Sequence, residues 1–193
     1  DDFIEQIYSF NADKIKDPSF AEGKVGKAYA GATDSYITFA GGAIMFKQNF
    51  SISFWYKLNA TPDRAGIITL SPPKAGNDDV RTSGLRIFRE GNNILKLNVG
   101  DGTNEHWIGG NDATKVTEGE WAFLTLTLSP TECFFYINGE VVASKTESFS
   151  GVSWNNINTM SIGAFLTAAG FLTAPAAFAR FAGANGSAIS MPN

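Results

Sequence analysis

Hydrophobic residues recur at every second position over two stretches of the chain. Across Phe50–Leu58, Phe50, Ile52, Phe54, Tyr56 and Leu58 share one parity, and Ser51, Ser53, Trp55 and Lys57 share the other. Across residues 121–129, Ala122, Leu124, Leu126 and Leu128 alternate with Thr125, Thr127 and Ser129. A period of two is that of a strand with one buried face. The first stretch, with one face wholly apolar, is expected in the middle of a sheet rather than at its edge. Ser129-Pro130-Thr131-Glu132 ends the second, because proline cannot donate to a ladder and pre-sets a turn. Residues 133–137 are apolar on both parities, which predicts a strand covered on both faces. Asn138-Gly139 then supplies the two positive-φ residues of a tight hairpin, and Val141-Val142-Ala143 returns.

The rest of the chain is punctuated in the same way. Residues 3–10 read as a first strand, and residues 11–27, broken by Pro18, Gly23 and Gly26, as a long loop. Short strands are expected at 28–31 and 35–40, around a turn at Ala32-Thr33-Asp34. Another follows at 65–70, after a Pro62-Asp63 turn, and 71–84 is a second long loop. Strands at 85–89 and 94–99 are joined by Glu90-Gly91-Asn92-Asn93, and Asp101-Gly102-Thr103-Asn104 turns the chain into 105–108. About ten to twelve short strands with regular turns and no amphipathic helix predict an all-β, two-sheet antiparallel sandwich. Residues 1–193 are expected to form one domain.

Composition changes this picture mainly by exclusion. With 193 residues the chain can bury a large core without disulfides or metal. Sixteen Phe and twenty Gly favour sheet and tight turns. A net charge of −4 with no Lys/Arg run excludes a nucleic-acid footprint. No apolar run reaches the length of a membrane span. The single cysteine, Cys133, falls in an expected core strand and reads as an inert thiol. Opening at Asp1-Asp2 without a signal-like segment, the chain is expected to be a mature or excised module. Residues 147–193 are atypical: from Ser148 onward Arg180 is the only charged side chain, and Phe-Leu-Thr-Ala occurs twice. They read either as a closing strand with loops or as a stretch whose sequence is not the native one.

Six segments, in order, resemble the laminin-G-like, pentraxin-like branch of the concanavalin A-type lectin and glucanase superfamily. They are GKVGKAYAG at 23–31, DSYITF at 34–39, FSISFWYKL at 50–58, EWAFLTLTL at 120–128, FFYINGEVV at 134–142 and MSIGA at 160–164. The resemblance implies a concanavalin A-like jelly roll of two curved antiparallel sheets. It also implies a last strand carrying two acids that returns beside the N-terminus. Here the matching stretch is Ala176-Ala177-Phe178-Ala179-Arg180-Phe181, with alanines in place of the acids. Many members hold calcium at the sheet rim with those acids and an Asp near Asp34. Asp34 is therefore the one metal candidate, and the missing acids argue against calcium.

Chemistry in the sequence points to binding rather than catalysis. The superfamily's hydrolases flank a glycosidic bond with carboxylates spaced along one strand. No such run occurs, and the nearest pair, Glu118 and Glu120, reads as a solvated turn. His106 is the only histidine, so triads and zinc sites have little to stand on. Gly100 to Asn104 resembles a calcium loop only superficially and reads as a hairpin turn. Sugars are recognised by aromatic faces with amides and charged groups beside them (compare). Two loops offer this: Asn104, Glu105, His106 and Trp107 with Asp112 nearby, and Trp154 with Asn155 and Asn156. For each tryptophan the competing reading is a cap over the sandwich end. Trp55, sharing its face with Ser51, Ser53 and Lys57, reads either as a further candidate on an open sheet face or as part of a second buried layer, and Arg86 and Asn98 join it if the strands align. The expectation is a non-catalytic carbohydrate-binding or adhesion module of an exported bacterial surface protein, with a glycan as partner. The alternative is a structural or protein-interaction laminin-G-like domain without a sugar site.

Overall fold

The computed structural model describes residues 14–16, 19–31, 35–40, 49–59, 65–71, 83–152, 159–167, 170–173, 176–183 and 188–189. The strands among them are β1 (Lys14–Lys16), β2 (Ser19–Glu22), β3 (Lys27–Ala30), β4 (Tyr36–Ala40), β5 (Phe50–Leu58) and β6 (Ala65–Ser71). Next come β7 (Ser83–Arg89), β8 (Leu95–Asp101), β9 (Glu105–Gly109), β10 (Trp121–Leu128), β11 (Glu132–Ile137) and β12 (Glu140–Thr146). The last are β13 (Thr159–Ile162), β14 (Ala164–Thr167), β15 (Gly170–Thr173), β16 (Ala176–Gly183) and β17 (Ala188–Ile189). A 3-10 turn at Asp112–Thr114 is the one helical piece among the described residues.

The strands form two large antiparallel sheets. Sheet I has the order β1-β4-β13-β6-β7-β8-β9. Sheet II has the order β12-β11-β10-β5-β16-β3-β2, with β17 beside β16. The two long alternating strands pair with each other, Phe50 opposite Leu128 and Tyr56 opposite Ala122, so their apolar parities fall on one side. There Phe50, Ile52, Phe54, Leu124 and Leu126 meet Ile68, Leu85, Ile87, Leu97 and Ile108 of sheet I in one buried cluster. Each fully buried side chain of this kind contributes about 1.5–3 kcal/mol. Burial also pushes the Cys133 thiol up to about 12, so it is an inert core group as expected.

Several sequence expectations are corrected. Residues 11–27 are not simply a loop: β1 pairs with β4, and β2 pairs with β3. Their three- and four-residue sequences are too short to show a hydrophobic period. Strand β11 is covered on one face only: Cys133 and Phe135 are buried, while Phe134 and Tyr136 are half-buried on the other side. Aromatic outer-face residues mimic a two-sided strand. The expected strand at 3–10 lies outside the described residues.

Other expectations hold. Asn138 and Gly139 have φ of 54° and 88°, the handedness a two-residue hairpin needs. Not anticipated was the pairing of the repeated Phe-Leu-Thr, which lies on two antiparallel strands, β14 and β15, against β6. Strand β16 inserts between β5 and β3, so the C-terminal strand does return beside N-terminal ones.

Candidate functional site

Sheet I carries a polar row across its outer face. The registers set Thr38, Ser161, Thr69, Arg86, Asn98 and Trp107 opposite one another on β4, β13, β6, β7, β8 and β9. Their neighbours Ile68, Ile87, Leu97 and Ile108 point into the core, so by alternation the row points away from it. At about 4.8 Å per strand spacing the row is roughly 24 Å long. Five of its members are buried although polar, and only Trp107 is half-exposed.

Buried polar groups need partners. Arg86 donates to Asn98 Oδ1 from Nε at 3.2 Å and from Nη2 at 2.6 Å. Among the described residues, Asn98 Nδ2 and Ser161 Oγ, on residues 1% exposed, have no hydrogen-bond partner. An unmet buried donor or hydroxyl costs about 1–3 kcal/mol. Two such atoms in one row, with an indole at its end, are what a hydroxyl-rich ligand would satisfy. The Trp107 ring is held by the edge of Phe88, centroids 6.0 Å apart, with Lys96 Nζ 4.4 Å and Arg86 Cζ 5.9 Å from its centroid. Lys96 also pairs with Glu90 at 3.7 Å.

The structure separates residues that sequence proximity had grouped. Strand β9 alternates, so Trp107 faces out while His106 turns to the opposite face and is buried. His106 Nε2 lies 3.0 Å from Asp101 Oδ2 and Nδ1 lies 2.7 Å from Glu147 Oε1, with the Phe149 ring 5.2 Å away. Asn104 serves the same turn, donating its backbone N–H to Asp101 Oδ1 at 2.6 Å and its amide to Oδ2 at 3.1 Å. Burial pushes the Asp101 carboxyl up, but the donors of Asn104, Thr103 and His106 outweigh it and hold it well below the usual range. Glu147 is likewise lowered, because hydrogen bonds from Lys145 and His106 exceed the cost of its burial. Glu105 is half-buried on the Trp107 side of β9, beside Gly100 of β8. Asp112 is exposed in the 3-10 turn that Asn111 caps. Trp154, Asn155, Asn156 and Asp34 lie outside the described residues.

Trp55 and the Arg86–Asn98 pair do not share a face. Trp55 is on the outer side of sheet II, 5.1 Å from Phe123 and with Lys24 Nζ 5.3 Å from its centroid. Arg86 and Asn98 align with Trp107 instead, since β7 and β8 belong to sheet I. Parity alone gives a residue's side, not its sheet. Thr38, Thr69 and Ser161 went unread because β13 is inserted between β4 and β6 from far along the chain. Their one local signal was a hydroxyl at each outward position of an otherwise apolar strand.

Glu118 and Glu120 are exposed in the turn before β10. Among the described residues no cluster of three His, Cys, Asp or Glu side chains could hold a metal. Strand β16 carries Ala176 and Ala177 where the family resemblance implies acids. No helix among them is long and apolar enough to cross a membrane.

A family model, Laminin_G_3 of the Concanavalin A-like lectin/glucanases superfamily, matches residues 31–175. No curated protein matches the chain in sequence. Among solved structures, domain 4 of AbnA, an extracellular arabinanase from Geobacillus stearothermophilus in complex with arabinotriose, is 18% identical with a TM-score of 0.62. The match covers 94% of this chain and 82% of that one. Domains LG4-5 of the mouse laminin alpha1 chain are 11% identical with a TM-score of 0.68, over 95% of this chain and 47% of that one. The carbohydrate binding module CBM66 from Bacillus subtilis is 12% identical with a TM-score of 0.53, over 89% and 94%. At these identities the likeness is one of fold. The chain spans about half the length of the laminin fragment.

Proposed function

The chain belongs to the Laminin_G_3 family of the concanavalin A-like superfamily, and from that premise we propose that it is a non-catalytic carbohydrate-binding module. Its ligand lies on the outer face of sheet I, with a sugar ring against Trp107 and hydroxyls meeting Asn98 and Ser161. The observation that carries this reading is the pair of unsatisfied buried atoms, Asn98 Nδ2 and Ser161 Oγ, in the row that ends at Trp107. Two structural neighbours support it by what they are: a sugar-complexed arabinanase domain and a carbohydrate binding module. Catalysis has no support in the row, which contains no carboxylate to act as acid, base or nucleophile. An exported, cell-surface setting accords with those neighbours, one of which is a domain of an extracellular enzyme.

The test is a glycan array probed with the wild-type chain, with calcium and with chelator. Calcium-independent binding to a defined glycan class, lost in Trp107→Ala, supports the reading. Absence of any glycan signal sinks it and favours a protein-interaction domain.

A further inference from the structure

The outer face of sheet II is built differently. Five aromatic side chains, Trp55, Trp121, Phe123, Phe134 and Tyr136, lie on it, and each is half-buried. Register places Phe123 opposite Trp55 and Trp121 opposite Lys57. Thr125 faces Ser53 on one side and Tyr136 on the other, and Thr127 likewise faces Ser51 and Phe134. The Ser53 and Thr125 hydroxyls meet at 3.0 Å. Val141, 54% exposed, stands opposite Tyr136 and extends the patch to the β12 edge. Over three strands and residues 121–127 the patch measures about 10 by 20 Å. These half-buried rings share the outer face of one sheet, beside a row of hydroxyls.

Charge narrows the occupant. Lys57 Nζ lies 5.9 Å from the Trp121 ring centroid, and Lys24 Nζ lies 5.3 Å from that of Trp55. The paired residues of β5, β10 and β11, from 50 to 57, 121 to 128 and 133 to 137, include no carboxylate, on a chain whose net charge is −4. A ligand here meets ring faces, hydroxyls and two separated ammonium groups. Densely sulfated chains call for forked, planar arginine donors, and these rows hold none. A polymer with one carboxylate per sugar fits the ratio of aromatic surface to cation.

The geometry points to a second binding face on sheet II for a polyuronic acid chain, whose sugar rings stack on Trp55, Phe123 and Trp121 and whose carboxylates pair with Lys24 and Lys57. It is independent of the sheet I row, because the two faces lie on opposite sides of the sandwich.

Affinity electrophoresis in gels containing polygalacturonate, neutral dextran or dextran sulfate tests this. Polygalacturonate is expected to retard the wild type, with the effect weakening as salt is added. Retardation should fall at least tenfold in the Trp55→Ala, Trp121→Ala double variant and several-fold in Lys24→Gln with Lys57→Gln. The lysine pair lies outside the core, so this second variant separates lost binding from lost folding. Trp107→Ala should leave retardation unchanged, even if it abolishes an array signal. Absence of retardation by polygalacturonate overturns the inference, as does equal retardation by dextran or stronger retardation by dextran sulfate. So does self-association that Trp55→Ala removes, which would assign the face to a second copy of the chain.

Discussion

Arg86 Nη2 lies 2.6 Å from Asn98 Oδ1, and this contact decides which way the Asn98 amide points. A guanidinium only donates, so the amide oxygen must face it and the NH2 group must face away. The orphaned donor of Asn98 thus follows from its neighbour on β7.

Asn98→Asp separates stability from binding. A carboxylate gives Arg86 a charge-assisted partner and removes the unmet donor, for a gain of about 1 kcal/mol. In a domain of this size that raises the thermal midpoint by about 2–4 °C. Glycan binding should fall at the same time, because the donor is gone. A lower midpoint with binding retained would contradict the role given to Asn98 Nδ2.

The turn of Asp101 predicts a pH dependence. Its folded-state carboxyl is held below the ordinary range, so it contributes stability above about pH 4 and loses it as pH falls through its folded value. Glu147 acts in the same direction. Asp101→Ala should therefore lower the thermal midpoint at pH 7, and the gap from wild type should narrow under strongly acidic conditions. A gap that widens on acidification would refute this account of the turn.

Strand β11 has one buried face, and truncation should show it. Phe135→Ala removes a fully buried ring and should cost about 3–5 kcal/mol, whereas Tyr136→Ala, half-buried on the outer face, should cost about 1 kcal/mol or less. Denaturant midpoints compare the two. Equal losses would mean that the outer face is covered after all.

Gly109 has φ of +74°, and a Cβ there would sit 2.8 Å from Thr114 Cγ2. Gly109→Ala should cost about 1–3 kcal/mol and loosen the segment that follows Trp107. Chemical denaturation reads the loss, and an unchanged midpoint would contradict the tightness of this turn.

Legibility in the sequence followed the contrast between faces. β5 and β10 could be read, register apart, because one parity is apolar and the other holds Ser, Thr and Lys. The 138–139 turn was equally plain, since few dipeptides tolerate two positive φ values. β1 and β2 carried no such contrast, and β11 carried a misleading one. The polar row needed more than parity: Thr38, Ser161 and Thr69 become neighbours only through a strand order that joins residues far apart in the chain. Trp107 was found as an aromatic among polar residues, yet its true companions are across the sheet rather than beside it in sequence.

Whether sheet I binds a glycan at Trp107 is decided by titrating the strongest array glycan against wild type, Trp107→Ala and Trp55→Ala by isothermal calorimetry. Trp107→Ala is expected to weaken binding at least tenfold, as the loss of an aromatic anchor at a binding surface does, while Trp55→Ala leaves the affinity unchanged. An unchanged affinity in Trp107→Ala, or a loss confined to Trp55→Ala, would contradict a glycan site at Trp107.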